Sequence, residues 1–291
     1  MVIKAFEYHA PESIHEAIDL LRQYGEKAKI LAGGQSLIPI MKLGLSDFDH
    51  LIDLKRIKDM NYIRDTGNDS IVIGALAKHA EVEIAPILVE KCPLLCETAK
   101  LIGHPQIRNK GTIGGSICHC DPSADLLPTI VALDATLKVE GPSESKSFGA
   151  EEFFKDVFTT ALGPNDILTE IEVPVLPEGA GYAYQKLSMG AGDFAIVGVS
   201  TIIQVDAQGI CTSVKIVLGG VGEKPFRVRS AEETMLGKRI TAEVVDEAVA
   251  HAVREARPIS DLKASAQYKK LMVATYTRRT LSAALSIAQR A

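Results

Sequence analysis

Two short segments pair adjacent glycines with hydroxyl-bearing residues: AGGQSL at residues 32–37 and TIGGS at residues 112–116. A backbone without side chains lets N–H groups approach phosphate oxygens, so such a turn can form an anion-binding nest. Ser36, Thr112 and Ser116 add hydroxyl donors. One glycine pair alone is more often an ordinary turn. Two pairs, each beside an apolar strand-like stretch, predict a pyrophosphate site.

The glycine segments do not carry the residues of phosphoryl transfer, because neither is followed by the Lys-Ser/Thr pair of a P-loop. A degenerate dinucleotide fingerprint runs from Gly190 to Ala195. A true fingerprint must open a helix after a strand, whereas the stretch AIVGVSTIIQV that begins at Ala195 is strand-like. We therefore reject a Rossmann nucleotide site.

The stretch CHCD at residues 118–121 could suggest a metal, and Cys92 and Cys96 are spaced to share a helix face. This spacing fits neither a standard zinc site nor an iron–sulfur cluster. We predict no metal ligand, and we expect the five cysteines to be reduced thiols. The chain shows no hydrolase triad, zinc-protease or kinase motif, so no catalytic residue is assigned.

Two carboxylates, Asp121 and Asp125, precede an apolar helical stretch. They could cap that helix, since aspartate is favoured at helix starts. They could also accept hydrogen bonds from a polar group of a cofactor. The sequence leaves both roles open.

Hydrophobic spacing predicts the elements around the first glycine segment. Ser13 and Glu16 form a capping box for a helix that Gly25 ends. AKILA (28–32) predicts a buried strand that runs into the segment, and HLIDL (50–54) predicts another buried strand.

The later part of the chain divides into helical, loop and strand-like regions. Residues 77–102 are predicted as mainly helical, and residues 104–125 as either a surface loop or a wall laid against a ligand. PEGAG (177–181) is the best linker candidate. Strand-like runs and then helical patterns follow it, which indicates an α+β C-terminal unit.

The composition excludes several functional classes. The chain has 291 residues, enough for about two domains, and a net charge of −5 that offers no footprint for nucleic acid. No apolar run is long enough for a membrane span, and the N-terminal residues do not resemble a signal peptide. We expect a cytoplasmic protein.

Three stretches, AGGQSLIPIMKLGL, HPQIRNKGTIGGSICHCDPSADLLP and GDFAIVGV, resemble the FAD-binding medium subunits of the molybdenum hydroxylases. The likeness covers the whole chain and is greatest to medium subunits of aerobic carbon monoxide dehydrogenases. It implies an α+β fold with a two-subdomain FAD-binding region of the vanillyl-alcohol oxidase type over residues 1–176, split near residue 56. Residues 177–291 would form a C-terminal domain with a small antiparallel sheet and helices.

The resemblance also implies which residues bind FAD. The first glycine segment would hold the pyrophosphate and the second would pack on the other side of the cofactor, while Asp125 would contact its polar edge and Leu168 would lie beside a ring. The implied positions are Leu31, Ala32, Gly33, Gly34, Gln35, Ser36, Leu37, Ile107, Gly111, Thr112, Gly114, Gly115, Ser116, Cys118, His119, Asp121, Asp125, Leu168 and Lys186.

The implied activity is electron transfer within a larger enzyme. A large subunit would carry the molybdenum cofactor, and a small subunit would carry [2Fe–2S] clusters that reduce FAD in this chain. Two such heterotrimers would pair. Gln35 stands where carbon monoxide dehydrogenases often have His, and Phe194 where Tyr is common, so the resemblance implies FAD but not carbon monoxide as substrate.

Two other functions remain as alternatives. A stand-alone flavin oxidoreductase would need a substrate base in the flavin cleft, and the sequence offers none. A non-catalytic assembly protein on the same scaffold would not need the glycine segments, and both are intact.

Overall fold

The computed structural model describes residues 3–290, whose strands form three sheets and a small hairpin with helices packed around them. Helices and strands are mixed along the chain, which confirms the predicted α+β class. None of the helices within residues 3–290 is long and apolar enough to cross a membrane.

A parallel sheet is formed by the first part of the chain. Its strands, in the spatial order β1-β3-β2, are β1 (Glu7–His9), β2 (Ala28–Leu31) and β3 (His50–Asp53). Helix α1 (Ile14–Tyr24) joins β1 to β2 and starts at Ser13, whose hydroxyl accepts the Glu16 N–H as predicted. Helix α2 (Leu37–Lys42) follows β2. The first glycine segment thus leaves the sheet at the carboxyl end of β2, the edge where parallel sheets bind ligands.

A five-stranded antiparallel sheet forms the second part of the fold, in the order β4-β5-β10-β6-β7. Its strands are β4 (Ile63–Asp65), β5 (Ser70–Gly74), β6 (Thr136–Glu140), β7 (Ser145–Gly149) and β10 (Ile167–Pro174). A separate hairpin consists of β8 (Phe154–Asp156) and β9 (Thr159–Thr160).

Seven helices interrupt this part of the chain. They are α3 (His79–Ile84), α4 (Pro86–Lys91), α5 (Pro93–Lys100), α6 (Pro105–Arg108), α7 (Ile113–His119), α8 (Leu126–Ala132) and α9 (Ala150–Phe153). Pro86 and Pro93 each occupy a first helical position, where the missing N–H needs no partner. The predicted helical region of residues 77–102 is therefore three short helices.

The alternative of a surface loop over residues 104–125 is wrong, because α6 and α7 lie there. Thr112 caps α7 through its side-chain oxygen, which accepts the Gly115 N–H at 3.1 Å. The glycine pair of TIGGS therefore lies in the first turn of a helix rather than beside a strand. Glycine has a low helix propensity, which hid this helix from the sequence pattern.

The C-terminal part of the chain is an antiparallel sheet covered by helices. The strands are β11 (Gly181–Leu187), β12 (Val197–Val205), β13 (Cys211–Gly219) and β14 (Phe226–Arg227), in that spatial order. The helices are α10 (Arg229–Met235), α11 (Ala242–Glu255) and α12 (Ala266–Ala288). Gly181, the last residue of the predicted linker, belongs to β11. A Cβ there would lie 2.7 Å from the carbonyl carbon of Ala284 in α12, so glycine permits this close packing.

Candidate functional site

The first glycine segment carries a run of free backbone donors. The N–H groups of the five residues Gly33–Leu37 find no acceptor within residues 3–290. Gly34 has a φ of +72°, which turns the chain sharply between β2 and α2. The Gln35 side chain fastens the turn by donating to the Gly33 carbonyl at 3.2 Å. Consecutive free amides in a tight turn form the nest that phosphate oxygens prefer.

The second glycine segment does not offer the same donors. The Ile113 N–H donates to the Ala77 carbonyl at 2.9 Å, and the Gly114 N–H donates to the Ala75 carbonyl at 2.9 Å. The Gly115 N–H is held by Thr112. The expectation that both segments act as phosphate nests therefore needs correction, because protein acceptors already satisfy the start of α7.

The first glycine segment is in direct contact with the turn just before the second. A Cβ on Gly33 would lie 2.7 Å from the Cα of Gly111 and closer still to the Lys110 carbonyl oxygen. A Cβ on Gly114 would lie 2.6 Å from the Ala75 side chain. Glycine is required at both positions because backbone packs against backbone. The predicted residues 31–37 and 111–116 are thus brought together.

The residues at the end of α7 are partly buried. The His119 ring lies 5.0 Å from that of Phe158, and burial lowers the pKa of His119. Burial raises the pKa of Cys118 to about 12 and that of Cys120 to about 11, so both are neutral thiols at pH 7. Neutral thiols are poor metal ligands and poor nucleophiles.

The two aspartates have different partners. Asp121 accepts the Ser123 N–H at 2.9 Å and so caps the turn before α8. Asp125 stands at the N-cap position of α8 but makes no capping bond, so the capping role is wrong for it. One Asp125 oxygen accepts the Tyr184 hydroxyl at 2.8 Å, and the other pairs with Lys186 Nζ at 2.8 Å.

Lys186 connects three parts of the chain. Besides Asp125, its Nζ donates to the carbonyls of Leu101 at 2.9 Å and Asp193 at 2.7 Å. Burial raises the pKa of Asp125, and the Lys186 charge works in the opposite direction. Lys186 lies at one wall of a groove of about 580 Å³ that Leu101, His104 and Arg279 also line.

The remaining predicted residues lie between or behind these groups. The Ile107 carbonyl accepts the Gly111 N–H at 2.7 Å and shapes the turn before α7. Leu168 is buried in β10, the strand that contacts α7.

Sequence reasoning found no role for His79, although it supports the second glycine segment. Its backbone N–H donates to the Gly111 carbonyl at 3.0 Å, and its ring lies 2.9 Å from where a Cβ on Gly111 would be. The buried Nδ1 has no partner among the described residues. Burial, aided by the Arg108 charge, lowers the pKa of His79 to about 4.

We expect acid to weaken this region through His79. As the pH falls below 6.5 the unfolded chain protonates this histidine, whereas the folded chain resists until about pH 4. Stability is therefore lost across this window, by about 2 kcal/mol at pH 5. Urea unfolding at pH 7.5 and pH 5 should show that His79→Gln lacks most of this loss. Equal pH dependence in both proteins would contradict the assignment.

Known families match the two parts of the chain. The family described as FAD binding domain in molybdopterin dehydrogenase matches residues 4–176, and the CO dehydrogenase flavoprotein C-terminal domain matches residues 182–284.

Individual relatives match over nearly the whole length. The carbon monoxide dehydrogenase medium chain of Hydrogenophaga pseudoflava is 39% identical, covering 98% of this chain and 98% of its own. A 6-hydroxypseudooxynicotine dehydrogenase subunit alpha of Paenarthrobacter nicotinovorans is 34% identical, with 97% and 95% covered. The solved carbon monoxide dehydrogenase from Hydrogenophaga pseudoflava superposes with a TM-score of 0.96, 39% identity and 99% of both chains covered. Quinoline 2-oxidoreductase from Pseudomonas putida 86 gives a TM-score of 0.94 at 27% identity, covering 99% of this chain and 100% of that one.

Proposed function

This chain belongs to the family of FAD-binding subunits of molybdopterin dehydrogenases, and we propose that the free amides of Gly33–Leu37 hold the FAD pyrophosphate. The chain is the FAD-carrying electron-transfer subunit of a molybdenum-hydroxylase-type oxidoreductase. The sequence predictions of family, function and cofactor are thereby confirmed. FAD supplies the redox chemistry when bound, and the protein supplies its position and surroundings.

The five free amides are the observation that carries this proposal. A pyrophosphate needs several donors at once, and a run of backbone N–H groups provides them without a mobile side chain. The Ser36 hydroxyl stands beside them and makes no capping bond to α2. The residues present therefore fit a pyrophosphate.

The second glycine segment would act as a wall rather than as a donor. Because its amides are satisfied internally, α7 holds Gly115 and Ser116 rigidly against the first segment. The Ala32 side chain lies 3.7 Å from where a Cβ on Gly115 would be, so the two segments lie close to each other at this point. In this proposal Cys118, His119 and Asp121 continue the wall.

The other predicted contacts are proposed with narrower roles. Lys186 and Asp125 would position the Leu101 and Asp193 segments around the cofactor, since their polar atoms are engaged with each other and with those segments. Leu168 and Ile107 would support the glycine segments from behind. No residue of this chain is assigned as a general acid or base.

The larger assembly is also part of the proposal. We infer that a small subunit with [2Fe–2S] clusters delivers electrons and that a large molybdopterin subunit binds the substrate, in a cytoplasmic dimer of heterotrimers. The relatives support such an assembly, because one is named as the medium chain of a carbon monoxide dehydrogenase and another as a subunit of a 6-hydroxypseudooxynicotine dehydrogenase complex. Native mass spectrometry of the purified complex tests the stoichiometry.

The domain division is proposed on the same basis. Residues 1–176 would form the FAD-binding region and residues 177–291 the C-terminal domain. The two subdomains of the first region would meet near Arg56, between the parallel sheet that ends at Asp53 and the antiparallel sheet that starts at Ile63.

Placing a negative charge at Ser36 is expected to reduce FAD binding at least about tenfold, because like charges repel strongly in a partly buried site. Ser36→Asn is the matched control, since Asn and Asp are equally good at the start of a helix and have similar size. Flavin absorbance per chain measures the result in both purified variants. Full flavin in Ser36→Asp would contradict a pyrophosphate at this turn.

A further inference from the structure

Two imidazoles and a carboxylate meet on the parallel sheet, away from the glycine segments. Glu7 and His9 lie two residues apart on β1, so their side chains share a face. The register of β1 and β3 places Glu7 beside His50. His9 Nε2 and His50 Nδ1 are 3.1 Å apart. Glu7 Oε2 lies 3.4 Å from His50 Nδ1 and 3.9 Å from His9 Nε2.

These separations are those of atoms that share one metal ion. Zinc holds nitrogen and oxygen ligands at about 2.0–2.2 Å in a tetrahedral arrangement, which puts neighbouring ligand atoms about 3.3–3.6 Å apart. The observed distances lie on both sides of that value. A small rotation of Glu7, which is 71% exposed, brings its oxygen into that range. The two imidazole nitrogens need to separate by only about 0.2 Å.

The two imidazoles are held in place before any ion arrives. The Tyr24 ring at the end of α1 stacks on His50 with a centroid distance of 3.7 Å, and it lies 5.1 Å from His9. The His9 and His50 side chains are only 20% and 14% exposed. Fixed ligand rings lower the entropy lost on binding. The exposed side of Glu7 leaves room for a water as a fourth ligand.

We propose that Glu7, His9 and His50 bind a divalent transition-metal ion of the zinc type. Two neutral imidazoles and one carboxylate suit zinc and its neighbours rather than calcium or magnesium, which prefer oxygen ligands alone. This site revises the expectation of no metal ligand, which followed from cysteine spacing. Histidines on separate strands come together only through the sheet register.

The site has a role separate from FAD. His50 pairs with Ala28 at the start of β2, whereas the first glycine segment follows the end of that strand, about 10 Å further along. A bound ion would fasten β1 to β3 and would not touch the cofactor. The proposal therefore stands independently of the FAD proposal.

Calorimetric titration of ZnCl2 into the purified full-length chain, with FAD added, tests the site at pH 7.5. We expect saturable binding of one zinc per chain. His9→Gln and His50→Gln should each weaken it at least about a hundredfold, since even outer partners of metal ligands contribute 10- to 100-fold. His15→Gln is the control, because His15 is 82% exposed on α1 and lies outside the cluster.

Glu7→Gln keeps the test decisive if a histidine variant fails to fold, because this exposed side chain can change without disturbing the core. It should weaken zinc binding at least about tenfold while leaving circular dichroism unchanged. Two results would overturn the proposal. One is the absence of zinc binding by the wild-type protein. His9 and His50 would then be only a hydrogen-bonded histidine pair. The other is an unchanged affinity in Glu7→Gln and in every folded histidine variant.

Discussion

Gly33→Ala is expected to remove FAD from the protein almost completely, although alanine adds a single methyl group. That methyl would have to occupy the space of the Lys110 carbonyl, and it would lie 2.7 Å from the Gly111 Cα. Backbone cannot rotate away as a flexible side chain can, so the two glycine segments must move apart. The five free amides would then lose the wall that faces them. A shift of about 1 Å suffices to lose most of the binding in a preorganised site.

The same change is expected to lower the free energy of unfolding by about 1–3 kcal/mol, the usual effect of overpacking. Gly33→Asp should behave similarly and add charge repulsion against the pyrophosphate. Gly149→Ala is the matched control, because a Cβ there would meet nothing within 4 Å. Flavin absorbance and urea unfolding measure both effects. If Gly33→Ala kept its full flavin content, the contact between the two segments would not govern binding.

Lys186→Met is expected to be the most destabilising single change at the groove. Asp125 is 5% exposed, and the substitution leaves its charge without a cationic partner. Breaking a buried ion pair from one side lowers stability by about 3–5 kcal/mol. The Leu101 and Asp193 carbonyls also lose their donor. Flavin content should fall as these segments separate.

The double variant Asp125→Asn/Lys186→Met is the control for the charge effect. Removing both charges should restore most of the lost stability, because a neutral amide can still accept the Tyr184 hydroxyl. Urea unfolding of the two single variants and the double variant gives the coupling directly. Strictly additive losses would show that Asp125 and Lys186 do not act as a pair.

The loss in Lys186→Met should also depend on pH. Burial raises the pKa of Asp125, and removing the Lys186 charge raises it further. The unfolded chain releases this proton near pH 4, whereas the folded variant retains it to a higher pH. The part of the deficit that comes from the Asp125 charge is therefore absent well below pH 4 and grows as the pH rises. We expect it to be smaller at pH 5 than at pH 7.5.

The sequence predicted those elements that are determined by residues close together in the chain. The start of α1 followed from Ser13 and Glu16, and the first glycine turn from residues 32–37, because all of these act within a few residues. The character of α7 could not be predicted in this way. Its glycines disfavour helix, and the Ala75 and Ala77 carbonyls that satisfy its first amides come from a distant part of the chain.

Only those features of the candidate site that depend on neighbouring residues could be predicted from the sequence. The turn with free amides at Gly33–Leu37 is a local property, whereas the partners of Asp125 lie about sixty residues away on β11. Nothing in the spacing of Tyr184 and Lys186 indicates that they face Asp125. The identity of the cofactor came from the resemblance, since free amides can donate hydrogen bonds to any pyrophosphate.

The contact between Gly33 and Lys110 also limits how early during synthesis the chain can bind its cofactor. The two residues are about eighty positions apart, so a ribosome adding about 5–20 residues per second delivers the second some 4–16 s after the first. The parallel sheet that carries the amides is already synthesised by then, and its turn faces water during that interval. The nascent chain can therefore hold its flavin between the two segments only after the chain through Ser116 has emerged, so cofactor capture cannot begin with the parallel sheet alone.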